Sequence, residues 1–121
     1  MPTDRQESTS AEIHALLGRG TEFEGRLVFD GVVRIDGHFK GGVHSDGTLV
    51  IGEPALVEAE IRVGVLIVRG GTLRGNIRAK RSVEVHAPGA VFGNITAPEV
   101  FIDKGVRFEG QCQMRELEDE T

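Results

Sequence analysis

The sequence predicts an all-β fold, a three-sided parallel β-helix (β-solenoid) of about six rungs, and three observations support this prediction. A short frame of the form apolar–x–small–x–apolar recurs along the chain at steps of 16, 18, 16, 18 and 17 residues. Within each frame apolar residues alternate with polar ones, which is the period of a strand that buries one face. Glycine or proline recurs between the frames, where the chain has to turn.

The frame is the first element of the repeat, and it supplies the core. Because stacked turns of a solenoid lie about 4.8 Å apart in parallel ladders, like positions of the copies lie above one another. Each aliphatic or Phe side chain buried in such a column contributes roughly 1.5–3 kcal/mol. The copies are Phe23-x-Gly25-x-Leu27, Phe39-x-Gly41-x-Val43, Val57-x-Ala59-x-Ile61, Leu73-x-Gly75-x-Ile77, Val91-x-Gly93-x-Ile95 and Phe108-x-Gly110-x-Cys112.

A second apolar series is predicted between the frames, so that a repeat of about 17 residues holds roughly three strands. Its inward-facing pairs are Val33/Ile35, Leu49/Ile51, Val65/Ile67, Val83/Val85 and Val100/Ile102. A further aligned position consists of Phe29, Ser45, Val63, Ala79 and Ala97. The predicted corners are Gly20, Gly37, Pro54, Gly71, Gly89 and Gly105 before the frames, and Gly31, Gly47 and Pro98 before the second series.

The composition predicts one domain with charged ends. The 121 residues include 17 glycines and one cysteine, so neither a disulfide framework nor a zinc knuckle can form within the chain. Of the net charge of −5, residues 1–10 carry −1 and residues 113–121 carry −3. We therefore predict a disordered N-terminal tail (1–13), a β-helix domain (14–114) and a disordered acidic C-terminal tail (115–121). The sequence has no secretory signal and no long apolar span, which predicts a soluble cytoplasmic protein.

Several stretches of the chain resemble the bactofilin domain in order and spacing over residues 16–114, namely GRGTEFEGRL, VRIDGHFKGGV, GNIRA, GNITA and IDKGVRFEGQCQM. The resemblance implies a right-handed β-helix that polymerises without nucleotide into non-polar filaments. It also implies a cytoskeletal scaffold that positions client proteins for cell shape, wall enzymes, motility or chromosome segregation. Related bactofilins are possible partners in a co-polymer.

Membrane attachment is the point at which the sequence departs from the resemblance. Many bactofilins bind membrane through a short N-terminal segment with apolar and basic residues, whereas the corresponding segment here, MPTDRQESTS, is polar. We therefore expect any membrane association to be indirect. Ile13, Leu16 and Leu17 are expected to cap the first rung, with an amphipathic membrane patch as the alternative.

The candidate catalytic residues favour a structural protein without metal or cofactor. His14, His38, His44 and His86 raise the alternative of a metal site. His38 alternates with the inward Phe39 and His86 follows the inward Val85, so we expect solvated surface histidines instead. A hexapeptide-repeat acyltransferase needs a small or aliphatic residue every six positions, and the step from Ile77 reaches Phe101 and Arg107 instead. Cys112 lies in an apolar column, which predicts a buried structural thiol. The glycine pairs at 41–42 and 70–71 lack the lysine and helix start of a phosphate loop.

Two sets of residues are predicted to form interfaces. The first is the polymer interface, because the resemblance points to a Phe near the C-terminal end; it comprises Phe108, Phe23, Leu27 and Cys112. The alternative for Phe108 is that it packs only within its own rung. A separate alternative for the whole chain is a non-polymerising β-helical protein-binding module.

The second set is a basic band for docking a partner, such as an acidic client protein, another filament or anionic lipid. Arg62 and Arg78 should share one outward column on adjacent rungs, where like charges repel unless they are offset. The alternative is a solvated surface on which Glu58, Glu60 and Glu84 provide that offset. Direct nucleic-acid binding is not expected, because the chain is acidic and no aromatic residue interleaves the basic ones. The band comprises Arg62, Arg74, Arg78, Lys80 and Arg81.

Overall fold

The computed structural model describes residues 15–116, and within this range every regular element is a β-strand. The predicted tail 1–13 lies outside the described residues, as do His14 and residues 117–121 of the acidic tail. The described residues contain no helix long and apolar enough to cross a membrane. The strands are β1 (Ala15–Leu17), β2 (Glu22–Phe29), β3 (Val32–Ile35), β4 (His38–Ser45), β5 (Thr48–Ile51), β6 (Leu56–Val68), β7 (Thr72–Arg74), β8 (Ile77–Val85), β9 (Ala90–Phe92), β10 (Ile95–Ala97), β11 (Glu99–Ile102), β12 (Arg107–Glu109) and β13 (Cys112–Met114).

The strands wind into stacked coils, and every pairing between neighbouring coils is parallel. This arrangement confirms the predicted three-sided solenoid of about six rungs. The coils comprise residues 15–29, 32–45, 48–63, 65–79, 82–97 and 99–114.

Each coil contributes one strand segment to each of three flat faces. The first face contains β1, β3, β5, the last parts of β6 and β8, and β11. The second face contains the first parts of β2, β4 and β6, together with β7, β9 and β12. The third face contains the remaining parts of β2, β4, β6 and β8, together with β10 and β13.

The core is a single apolar cluster along the axis of the solenoid. On the second face Phe39, Val57, Leu73 and Val91 lie in register and are 0–1% exposed. Their side chains alternate with outward polar ones, as the frame predicted. Because the inward columns continue through all coils, each coil buries its apolar residues only when another coil lies on either side.

The frame requires a small residue at its centre for steric reasons. Gly41, Gly75, Gly93 and Gly110 have φ values of 138–147°, a region that residues with a Cβ rarely adopt. A Cβ at any of these glycines would lie 1.7–1.9 Å from the carbonyl oxygen of the aligned residue in the preceding coil. The chain therefore bends sharply between the second and third faces and packs there against the backbone below.

The predicted inward pair Val65/Ile67 is wrong by one residue. Leu49 and Ile51 pair with Leu66 and Val68, which are fully buried, and the register shifts at Gly64. The run from Val63 to Val68 is apolar apart from Gly64, so it has no alternation from which the register could be read. As a consequence Val65 and Ile67 point outward from the first face.

Candidate functional site: open ends and outer faces

The N-terminal end of the solenoid is an open edge within the described chain. Strand β1 pairs only with β3, and β2 pairs only with β4. Phe23 is 38% exposed there, and its ring stacks on Phe39 with 5.3 Å between centroids and 9° between planes. Leu27 of the same coil is partly buried against the core. Two of the predicted interface residues therefore lie together at this end.

The C-terminal end is open in the same way. Each of β11, β12 and β13 pairs with one strand of the preceding coil and, among residues 15–116, with no other strand. Phe108 lies over Val91 and is partly buried. Ile102 and Met114 are 37% and 62% exposed. The predicted interface thus divides into two groups at opposite ends of the molecule.

Cys112 was predicted to be buried, and the structure contradicts this, because its thiol is exposed. The residue does occupy the inward column of the third face, directly above Ile95. It lies in the last coil, however, and no further coil covers it within the described residues. The partial burial that remains raises the pKa of the Cys112 thiol, which lowers the fraction of reactive thiolate and argues against a catalytic nucleophile.

Both ends combine two features that favour association. The edge strands present backbone N–H and C=O groups on the side where no neighbour pairs with them, and such edges are templates for a further strand. Beside these groups lie apolar columns that would be buried if another coil were added. An end therefore offers hydrogen bonds and apolar area to a partner with a matching edge.

The third face carries part of the predicted basic band. Arg62 lies beside Arg78 in the register of neighbouring coils, as predicted, with His44 on the other side of Arg62. In the adjacent outward column Asn76 donates to Glu60 at 3.4 Å. An open groove on this face is lined by Arg26, Gly42, His44, Glu60, Arg62 and Arg78, among others.

Lys80 and Arg81 lie at the corner between the third and first faces. The Lys80 Nζ atom is 2.7 Å from Asp46 Oδ1, and Arg81 donates to the Asp46 carbonyl oxygen at 3.0 Å. Gly64 lies between Asp46 and Arg81, and a Cβ at Gly64 would collide with the Asp46 carbonyl oxygen and with the Arg81 guanidinium. The hydrogen bond from Lys80 and its charge hold the pKa of Asp46 below its usual value. The acid that offsets this part of the band is therefore Asp46.

The last member of the band lies on another surface. Arg74 belongs to the second face, and its guanidinium lies 4.5 Å from the centroid of the Phe92 ring. On the first face Glu84 lies 3.2 Å from His86, and its neighbour in the ladder is Ile67. The five basic residues therefore occupy three sites: Arg62 and Arg78 on the third face, Lys80 and Arg81 at the corner, and Arg74 on the second face.

The first face carries an outward column that the sequence did not predict. Leu16 and Phe101 at its ends are 58% and 52% exposed, and Val50 and Ile67 in its middle are partly exposed. The unbroken apolar run after Gly64 could have indicated this column. Successive residues of a strand point to opposite sides, so half of that run has to lie on the outer surface.

The described histidines show no sign of a metal centre. Residues 15–116 contain no group of three or more His, Cys, Asp or Glu that could hold a metal ion. His38 and His44 are exposed, as predicted for His38. His86 pairs with Glu84, and its ring lies 5.6 Å from the Phe101 ring.

Comparison with known proteins agrees with this architecture. A family model described as "Bactofilin: Polymer-forming cytoskeletal" matches residues 15–113. The chain is 32% identical over 119 residues to the bactofilin BacP of Myxococcus xanthus (strain DK1622), covering 98% of this chain and 49% of BacP. It therefore spans about half the length of that relative. It is 28% identical over 112 residues to the bactofilin BacO of the same organism, covering 93% of this chain and 88% of BacO. No solved structure matches the chain.

Proposed function

Because the chain belongs to the bactofilin family of polymer-forming cytoskeletal proteins, we propose that it assembles end to end, without nucleotide, into non-polar filaments. The filaments act as a cytoplasmic scaffold that positions client proteins. The observation that carries this proposal is the pair of open ends. Each end exposes the edges of three ladders next to apolar columns.

The energy for assembly can come from the ends alone. Adding a neighbouring subunit buries the exposed parts of Phe23 or of Ile102 and Met114, and apolar burial contributes roughly 25 cal/mol for each Å². It also pairs backbone groups at the edge strands. No step of this association consumes a cofactor, which is why nucleotide is not required.

The charges beside Phe108 favour contact between two C-terminal ends. Arg107 and Glu109 flank Phe108 on the outside and lie 2.9 Å apart. When two β12 strands meet antiparallel across a two-fold axis at Phe108, each Arg107 faces the partner's Glu109. When the last coil instead continues onto a first coil in register, Arg107 faces Glu22 but Glu109 faces Glu24. The first arrangement has two pairs of opposite charges, and the second has one opposite and one like pair. In the matching contact between two N-terminal ends each Glu22 faces the partner's Glu24, so these charges strengthen the C-terminal contact and weaken the N-terminal one.

The replacement Phe108→Arg tests the end contact. A charge in a stacked apolar end is costly to bury, so this variant should be folded but monomeric or a small oligomer. Negative-stain microscopy and high-speed sedimentation without nucleotide should show filaments for the wild-type protein and none for the variant. The matched control is Phe101→Arg in the same coil, whose side chain points out of the first face and which should still form filaments.

Long filaments of Phe108→Arg would show that Phe108 packs only within its own coil. Absence of wild-type filaments under all salt conditions would instead support a monomeric binding module that uses its flat faces.

A further inference from the structure

The outward column of the first face has a symmetric order of side-chain types. Its members follow one another in register through all coils, from one end of the solenoid to the other. The order is apolar, basic, apolar, apolar, acidic, apolar. The residues are Leu16, Arg34, Val50, Ile67, Glu84 and Phe101.

Each charged member of the column is part of a local pair. Arg34 donates to Asp36 with an Nε–Oδ1 distance of 2.9 Å. Glu84 lies 3.2 Å from the His86 ring nitrogen. Asp36 and His86 both belong to the next outward position of the same face, two residues along their strands. The face therefore carries one ion pair and one carboxylate–imidazole pair, with the acid in opposite order along the strand, one near each end.

This order is self-complementary in one orientation only. If two first faces meet across a two-fold axis parallel to the strands, the coil order of the partner is reversed. Arg34 then faces the partner's Glu84, and Val50 faces the partner's Ile67. Asp36 also faces the partner's His86 in that arrangement. In the parallel orientation Arg34 would face Arg34 and Glu84 would face Glu84, and like charges at such positions are unfavourable.

From this pattern we infer that the first face is a lateral interface with a second copy of the chain, in antiparallel orientation. This inference rests on the proposed end-to-end assembly. The face spans six coils at about 4.8 Å and strands of about 3.3 Å per residue, or roughly 400 Å². A stable interface buries about 800 Å² on each partner, so a single pair of subunits binds weakly. Across the two-fold C-terminal contact proposed above, the first and third faces exchange sides, so alternate subunits present the first face on the same side of a filament. These subunits repeat the contact along two paired filaments, and the effective concentration of each further contact makes pairing strong.

The test compares charge reversals on the full-length protein at low ionic strength. Low-speed centrifugation collects paired and bundled filaments, and high-speed centrifugation collects all polymer. Arg34→Glu and Glu84→Arg each place like charges across the interface, and both should lose the low-speed pellet and keep the high-speed pellet. The double variant restores opposite charges at both positions and should regain the low-speed pellet. The two single changes alter the net charge in opposite directions. If both abolish the low-speed pellet, a change in net charge cannot be the cause.

The matched control is Lys40→Glu, which makes the same charge change at an exposed position of the second face and should pair like the wild type. Wild-type filaments that stay single, a single variant that still bundles, or a double variant that stays single while folded by circular dichroism would each overturn the inference. Missing high-speed pellets would contradict end-to-end assembly instead. The same variants would then be compared at millimolar concentration by sedimentation equilibrium, where monomers throughout would overturn the lateral contact and a dimer with the same pattern of loss and rescue would support it.

Discussion

At the scale of single residues, position within the stack decides what a side chain does. Ser45 is buried in the column that also contains Phe29, and its hydroxyl forms hydrogen bonds with nearby backbone groups. Its Oγ donates to the Phe29 carbonyl at 2.6 Å and accepts from the Gly47 N–H at 2.8 Å. A buried polar group of this kind is tolerated because its hydrogen bonds are made.

Two adjacent glycines allow a matched test of the bend between the second and third faces. Gly41 has a φ of 138°, and a Cβ there would lie 1.8 Å from the Gly25 carbonyl oxygen. At Gly42 a Cβ would come no closer than 3.9 Å to the Glu60 carbonyl oxygen. Gly41→Ala should lower the free energy of unfolding by more than the roughly 1–2 kcal/mol of left-handed strain, and Gly42→Ala should change it little. Urea unfolding followed by circular dichroism measures both, and equal losses would refute the steric explanation.

Cys112 is a natural chemical probe of the end contact. Its thiol is exposed at the open C-terminal end of the subunit, so a contact between ends should cover it. Maleimide should label Cys112 more slowly in filaments than in the unpolymerised Phe108→Arg protein. Equal rates in the two samples would indicate that the proposed contact does not cover this column.

At the scale of elements, the strands were predictable where apolar and polar residues alternate. The columns through Phe39 and Val57 were assigned correctly because each inward residue has polar neighbours. The register of the last part of β6 was not, because the residues after Gly64 are apolar on both faces. The corner contact of Lys80 with Asp46 joins residues 34 positions apart across Gly64, and periodicity alone does not show that a side chain can span a coil.

The partner-docking prediction now depends on the third face alone. Arg62 and Arg78 are adjacent in the ladder there, while the other members of the predicted band lie elsewhere. Reversal of both to Glu should leave filaments and their pairing intact but reduce binding of an acidic partner. Cosedimentation of a labelled polyglutamate peptide with filaments would measure this, and the difference should shrink as salt screens the charges. The control is reversal of Arg74 on the second face, and equal peptide binding by all three proteins would leave the third face as solvated surface.

At the scale of the whole molecule, repetition is what made the fold predictable. The period of about 17 residues fixed the number of coils, the inward columns and the ends of the stack. Cys112 was predicted to be buried because every position in a column was assumed to have a coil on both sides. Within the described residues no further coil covers the last one. The outer surfaces were predicted least well, since outward positions are free to vary without disturbing the repeat.

The tails should be dispensable for polymerisation. A version limited to residues 11–114 keeps all the strands described here and loses four of the five net negative charges. It should therefore form filaments, and these should bundle more at low salt because their mutual repulsion is weaker. Sedimentation at two speeds, compared with the full-length chain, checks both expectations. Loss of filaments on trimming would assign a role in the contact to one of the tails.

The direction of the hydrogen bonds has a mechanical consequence. All the ladders run along the solenoid axis, whereas the covalent chain winds across it. Tension along the axis is therefore carried by hydrogen bonds and apolar contacts, with the backbone coiled transversely like the wire of a spring. A coil that opens under load would lengthen from about 4.8 Å to roughly 55 Å for its approximately 17 residues. An overloaded subunit would yield by unwinding coil by coil, without breaking a covalent bond.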